Sequence, residues 1–398
     1  MVDSGPDSPI DRSRRAGRRA LRKVKRRVKR AASEAEEARL RFNGQLRKRQ
    51  RTWEDYQKFI RKEFRWETSL SQRRPLWWRK GFLSRSVTLY GLDEGNDASL
   101  YINDVQRYTR TKRMVHETLQ EILDNKFAFF LLMNQLGLNT DVVPLLGLYV
   151  RGSVQVFPDD DDLPLQHFLE TRLLVDQKVF VKPLRGAEGR RVRAITRTST
   201  GFRLDGKVAS VAEIRGWIEE QKRPMLFERG VVQHADQAAL NPEATNTIRV
   251  LTMPDVTKSK QPFIAIAVQR IGTELSAHVD NWTQGGLSAK IDVETGRLSR
   301  AGQLPDDRAP KWFTHHPDNG VPIEGAQVPF WEETKQLIMD ASSRLKFMEY
   351  VGWDIIISPT GPVILEANIN SGMNVLQVHG PLLADPRVRA YYAKRGVI

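Results

Sequence analysis

Residues 354–357 and 363–367 are two short apolar runs on either side of Ser358-Pro359-Thr360-Gly361-Pro362. Serine, proline and glycine at that density are turn chemistry, so the segment is predicted to be a β-hairpin. One strand carries Asp354; the other carries Glu366 and Asn368. Side chains alternate faces along a strand, so Glu366 and Asn368 share one. Pairing across the turn sets Asp354 beside them, and three oxygen-bearing side chains converge.

Such a set suits a hard divalent cation. Mg²⁺ takes few ligands from protein and completes its sphere with phosphate oxygens and water. Upstream, 179–192 reads as a lysine-bearing strand followed by a glycine loop. Together the two segments imply an enzyme that handles a metal–nucleotide complex.

At 398 residues the chain is long enough to bury a large core and to hold more than one lobe. Cysteine is absent, which excludes disulfides, thiol chemistry and thiolate metal sites. No apolar run approaches the length of a membrane span and no signal-peptide pattern opens the chain, so a cytoplasmic protein is expected. The seven histidines form no H-E-x-x-H, and His315–His316 reads as a solvated loop pair. Net charge is +15, but residues 12–30 alone hold twelve Lys/Arg and no acid; without them the balance falls to +3. The basic character therefore belongs to a tail and not to a nucleic-acid-binding fold.

Four segments are expected. Residues 1–70 form a basic arm, disordered at first and helical over 12–66. This arm is either a solvated tail or a contact for anionic membrane surface or polyanions; the former leaves the chain free, the latter makes it peripheral at an inner membrane surface. Residues 71–175 form a first lobe, in which Trp77 and Trp78 read as packing anchors. Helices flank a break at Asp124–Asn125 and bury Phe127, Phe129, Phe130, Leu131, Leu132 and Leu136. The acidic run 158–164 reads as a solvent loop, since it lacks the spaced ligands of a calcium site. Residues 176–232 form a small α+β lobe with strands at "KVFVKP", "RRVRAITR" and "MLFE" and a helix at "VAEIRGWIEEQ". Residues 233–398 form a last lobe, with strands at 247–253, 262–270 and 287–292, a helix over 330–348 and the hairpin.

Several smaller patterns carry chemistry. Lys182 ends an apolar strand; either it is a surface lysine on a plain β-hairpin, or it is desolvated, where an unpaired ammonium is expensive and phosphate is a natural partner. Gly186 and Gly189 allow backbone N–H groups to close over phosphate, although the pattern is neither a P-loop nor a Rossmann fingerprint. Glu228 closes a strand before the apolar connector Gly230-Val231-Val232, either a strand end with an exposed acid or a connector that suits an adenine edge. Arg249 sits within an apolar strand; it either pairs with a carboxylate or points into a site to hold anions. Asn281 precedes Gly285–Gly286, either an ordinary turn or a loop over the reacting end of a nucleotide.

In order, these are lysine strand, glycine loop, acidic connector, arginine strand, Asn-x-x-x-Gly-Gly, Asp, then Glu-x-Asn. That order resembles the ATP-grasp superfamily over about residues 110–376. "NTIRV", "DNWTQGG" and "EANINSGMN" resemble its sugar-transfer-associated group most, and the N-x-x-x-G-G element is similar to that of glutamate-adding ligases. The resemblance implies an α+β fold of two lobes clasping ATP. It implies Lys126 and Lys182 as phosphate contacts, and Gly186, Ala187, Glu188 and Gly189 as a mobile loop over the phosphates. It implies Glu228 and Val231 at the adenine, Asp236 at the ribose, and Asp354, Glu366 and Asn368 as ligands of Mg²⁺. Many members carry an arginine two residues before the first metal carboxylate; here that position is Gly352, so Arg249 or Arg270 supplies the charge.

The activity so implied is an ATP-dependent carboxylate–amine ligase acting through an acylphosphate. Arg249, Arg270 and Asn281 would stand at the reacting centre, and polysaccharide or natural-product precursors would supply the acid and the amine. The rival readings are a phosphotransferase acting on a sugar hydroxyl and a non-catalytic nucleotide- or polyanion-binding protein.

Overall fold

The computed structural model describes residues 53–54, 56–64, 71, 73–159, 161–186, 191–277, 279–304, 309–369 and 371–398. The basic run 12–30 and loop residues Ala187, Glu188 and Gly189 lie outside these residues. The chain divides into two compact units, 1–61 and 62–398. In the first, residues 53–54 and 56–61 are helical, with the Trp53 and Tyr56 rings stacked 6.4 Å apart.

The second unit holds two antiparallel sheets. The first contains β1 (Leu145–Val150), β2 (Ser153–Val156), β3 (Asp162–Pro164), β4 (Lys178–Pro183), β5 (Arg193–Thr198), β6 (Gly201–Leu204), β7 (Lys207–Ala209) and β8 (Met225–Arg229), in the order β3-β2-β1-β8-β4-β5-β6-β7. Its core gathers Val179, Val181, Ile195 and Phe227 against the helices Leu165–Arg172 and Val211–Glu220. Ser210 and Glu213 start the second helix with reciprocal side-chain-to-backbone bonds, a capping box that satisfies two otherwise orphaned N–H groups.

The second sheet contains β9 (Thr247–Pro254), β10 (Pro262–Ile271), β11 (Leu287–Ile291), β12 (Leu298–Gln303), β13 (Lys311–Phe313), β14 (Val351–Ser358) and β15 (Gly361–Asn368), in the order β13-β12-β11-β10-β9-β14-β15. β9 and β14 are buried at every position, so this sheet is covered on both faces. Ile248, Val250, Trp353 and Ile355 pack with Ile338 and Ala341 of the helix Trp331–Arg344. Leu251, Met253 and Val268 point the other way, toward Val388, Tyr391 and Tyr392 of the helix Pro386–Lys394. Burying each such side chain is worth about 1.5–3 kcal/mol.

The hairpin expected from 354–367 is present and longer, as β14 and β15. The break at Asp124–Asn125 is also present. Asn125 accepts from the N–H groups of Phe127 (3.1 Å) and Ala128 (3.3 Å), so it caps the helix Lys126–Gln135 while ending Glu117–Asp124. Other expectations are corrected. On that second helix Leu131 is 46% exposed, and Met133 takes the buried place instead. The long helix stops at Arg344, not at residue 348. His316 is buried and bonds the Gly272 carbonyl through Nε2 (2.9 Å), so only His315 of that pair is exposed. The acidic run is not all loop: Asp162–Pro164 pairs as β3, and Asp159 and Asp161 both bind Arg172.

Candidate active site

Both sheets face a cavity of about 450 Å³, in the range of ordinary ligand pockets. On the β9–β14–β15 wall, Arg249 pairs in register with Asp354, and Asp354 with Glu366. Direct neighbours in antiparallel strands share a face, so these three charges form one row. Arg249 binds Asp354 twice, Nε to Oδ1 and Nη2 to Oδ2, the latter at 2.8 Å. A register shift after Asp354 gives β15 an extra residue at Leu365, a bulge that sets Leu365 and Glu366 both against the cavity. Asn368 Nδ2 lies 3.4 Å from Asp354 Oδ2 and 3.4 Å from Glu366 Oε1. The expected convergence of the three oxygen-bearing residues is therefore met in space.

The row is electrostatically divided. Burial pushes Asp354 above the ordinary carboxylate value, against the pull of Arg249 and Arg270. Burial also opposes ionisation of Glu366, but Lys126, Lys182 and Arg249 together outweigh it and hold the group at about 2. Lys126 Nζ is 3.3 Å from Glu366 Oε2 and donates to the Gly186 carbonyl at 3.0 Å. Its backbone N–H bonds the Leu184 carbonyl (2.9 Å), tying the start of its helix to the loop after β4. A cation in the first turn of a helix opposes the helix dipole, at a cost of about 0.3–1 kcal/mol. Its place at the cavity offsets that cost.

On the β4–β8 wall, Lys182 forms a buried ion pair with Glu228. Phe180 is the register partner of Glu228, so Lys182 reaches it diagonally along the same face. Phe180, Val143, Val231, Ile356 and Leu365 supply apolar surface to the cavity lining. The Glu228 carboxylate is engaged by Lys182.

Gly352 stands where an arginine was noted as missing. A Cβ there would meet Ser371 Oγ at 2.6 Å, so the position has no room for a side chain. Both candidate substitutes sit at Asp354: Arg249 as above, and Arg270 with Nη2 3.3 Å from Oδ2. Burial disfavours the Arg270 cation, yet Asp280 and Asp354 outweigh that and raise its pKa.

Two expected site residues are placed differently. Asp236 is largely exposed in the first turn of the helix Ala235–Leu240, near His234 (3.7 Å), and does not line the cavity. Asn281 lines it, but its Oδ1 accepts from Thr283 N (3.0 Å) and Thr283 Oγ1 (2.8 Å), capping the short turn Trp282–Gln284. Three cavity residues were not singled out in the sequence: Arg107, Asp280 and Asn374, although the last two fall within "DNWTQGG" and "EANINSGMN". Arg107 lies in a segment with no metal or phosphate spacing, and only the tertiary fold brings it to the cavity.

Among the described residues no group of three or more His, Asp or Glu forms a metal cluster. The hairpin set fits a hard cation nonetheless: two carboxylates and one amide oxygen, with no nitrogen or sulfur donor. Turning the Asn368 amide would exchange its N and O at that point.

A model of the family described as sugar-transfer associated ATP-grasp matches residues 106–389. No protein of curated function matches the chain by sequence. Among solved structures the chain is similar to VanG D-Ala:D-Ser ligase from Enterococcus faecalis, at 10% identity over 69% of this chain and 63% of that one, with a TM-score of 0.39. It is also similar to the D-alanine–D-alanine ligase from Bacillus anthracis, at 14% identity over 69% of each chain and a TM-score of 0.34. For D-cycloserine synthetase DcsG the identity is 11%, over 71% of this chain and 73% of that one, with a TM-score of 0.36. The chain thus spans less than two thirds of the Enterococcus ligase.

Proposed function

Because the chain belongs to the sugar-transfer associated ATP-grasp family, we propose that it is an ATP-dependent ligase joining a carboxylate to an amine through an acylphosphate. The observation that carries this reading is the charged row Arg249–Asp354–Glu366 on one wall, facing the same cavity as the Lys182–Glu228 pair on the other.

In this reading the adenine lies against the apolar lining near Phe180 and Val231, and the phosphates lie toward Lys126, Lys182 and Arg249. Asp354, Glu366 and Asn368 are the residues that would hold Mg²⁺. Bound there, the ion would stabilise the negative charge that develops as the γ-phosphoryl group departs. The substrate carboxylate attacks the γ-phosphorus, the bond to the bridging oxygen breaks, and ADP leaves. An amine nitrogen then attacks the acyl carbon, phosphate leaves, and the nitrogen gives up a proton.

The protein's part is positioning and charge. Lys126 and Arg249 are paired with Glu366 and Asp354; neutralising those carboxylates releases both cations for phosphate. No nucleophilic side chain is needed. Lys126 donates to the Gly186 carbonyl, and exclusion of water from this site would protect the acylphosphate from hydrolysis.

An ADP-release screen over paired acids and amines, with products read by mass, tests the proposal. An amide plus phosphate, formed only with both partners, supports it. A stable phosphorylated acceptor would replace it with a phosphotransferase. No ADP release with any pair, from a protein that binds Mg·ATP, would leave nucleotide binding alone. Among the described residues no helix is long and apolar enough to cross a membrane.

A further inference from the structure

Each acid lining the cavity meets a cation: Glu228 meets Lys182, Glu366 meets Lys126, Asp354 meets Arg249, and Asp280 meets Arg270 (3.1 Å). Arg107 is different. It lines the same cavity, half-buried, yet the carboxylate it approaches, Asp104, stands 4.0 Å from Nη1 and accepts from the Leu83 N–H instead (2.9 Å). Its Nη1 donates to a neutral partner, Asn374 Oδ1, and its Nε is buried without a hydrogen-bond partner among the described residues.

The guanidinium is nonetheless held firmly. Asn374 Oδ1 also accepts from Tyr90 Oη (3.2 Å), and Tyr90 accepts from Gln377 Nε2 (3.2 Å). Gln377 in turn bonds both backbone groups of Ile102, at 2.8 and 3.0 Å. Arg107 rises from a π-helical turn, Gln106–Arg110, an irregularity frequent at functional sites. Asn103 and Gln106 fix its start by exchanging bonds at 2.9 and 2.8 Å. Beside this group, a Cβ at Gly372 would stand 3.8 Å from Arg249 Nη1, the one Arg249 nitrogen that Asp354 does not engage. With its one carboxylate neighbour at the outer limit of an ion pair and its guanidinium lying over the Tyr108 ring (4.8 Å to the centroid), this partly desolvated cation has capacity for a further anion.

We propose that Arg107, oriented by Asn374, forms a second anion subsite in this cavity. It would receive a carboxylate or phosphate group carried by the non-nucleotide substrate, so that substrate is an anionic molecule and not a neutral sugar. This rests on the nucleotide reading above and is separable from it.

The test loads the full-length protein with Mg·AMP-PNP, so that the triphosphate position is filled, then titrates propionate and methyl phosphate by calorimetry. The expected result is saturable binding of at least one probe, weakened about tenfold or more in Arg107→Gln and partly kept in Arg107→Lys, with AMP-PNP affinity unchanged in both. Which probe binds tells carboxylate from phosphate. Absence of saturable binding by either probe, or equal binding in Arg107→Gln, overturns the subsite. Loss of AMP-PNP affinity in Arg107→Gln overturns it as well, by assigning the arginine to the triphosphate. Failure of wild-type protein to bind AMP-PNP sinks the nucleotide reading instead.

Discussion

Arg249 and Asp354 are register partners on adjacent central strands, and their side chains form a two-point ion pair that is almost wholly buried. Arg249 also lines the cavity, so pairing with a carboxylate and facing a cavity are not exclusive here. Replacing Arg249 with methionine would leave Asp354 buried beside Arg270 alone. Unfolding in urea should show a loss of about 3 kcal/mol, the low end for breaking a buried pair, because Arg270 remains. The double variant Arg249→Met, Asp354→Leu should recover much of it.

Lys182 and Glu228 make a second buried pair, and each should strand the other when removed. Lys182→Met and Glu228→Gln are each expected to destabilise the small sheet. A double-mutant cycle by thermal unfolding should give a coupling of about 1–3 kcal/mol. Additive losses would show that the two groups do not interact in solution.

Gly352→Ala places a methyl group against Ser371, whose Oγ and Cβ would lie 2.6 and 3.0 Å away. Overpacking of this kind costs about 1–3 kcal/mol. The predicted result is a lowered melting temperature together with weaker nucleotide binding, since Ser371 leads into the cavity-lining residues Gly372 and Asn374. Gly352→Arg should fail to fold.

His379 is half-buried beside Ser288 Oγ (2.9 Å), and desolvation, with the nearby Lys290 charge, lowers its pKa to about 3. The fold therefore favours the neutral ring. Its contribution is fully present above the unfolded value near 6.5 and is lost as pH falls from there toward 3. Denaturant unfolding at pH 7, 5 and 4 should show this decline, and His379→Gln should flatten it.

The hairpin was legible in sequence because its cues are local: turn residues between apolar runs, and a carboxylate-x-amide spacing that puts two oxygens on one face. The "KVFVKP" strand and the Asn125 helix break were legible for the same reason. β12 and β13 were not. "LSRAGQ" carries little apolar periodicity, because an outer strand draws its stability from pairing with β11. Arg107 was invisible among its neighbouring arginines and lysines, since its distinction is a cavity assembled from segments hundreds of residues apart. Asp236 follows the connector in sequence yet lies off the cavity, and Asn281 lines the cavity while a local turn uses its oxygen.

Mg-dependent ATP binding tests the central claim most directly. Calorimetry on the full chain, with magnesium present and after its removal with EDTA, should show ATP affinity rising about tenfold or more with the metal. Glu366→Ala should lose that difference while keeping its melting temperature. If wild-type protein takes up no ATP with magnesium, or Glu366→Ala retains the full magnesium effect, the assignment of this site is wrong.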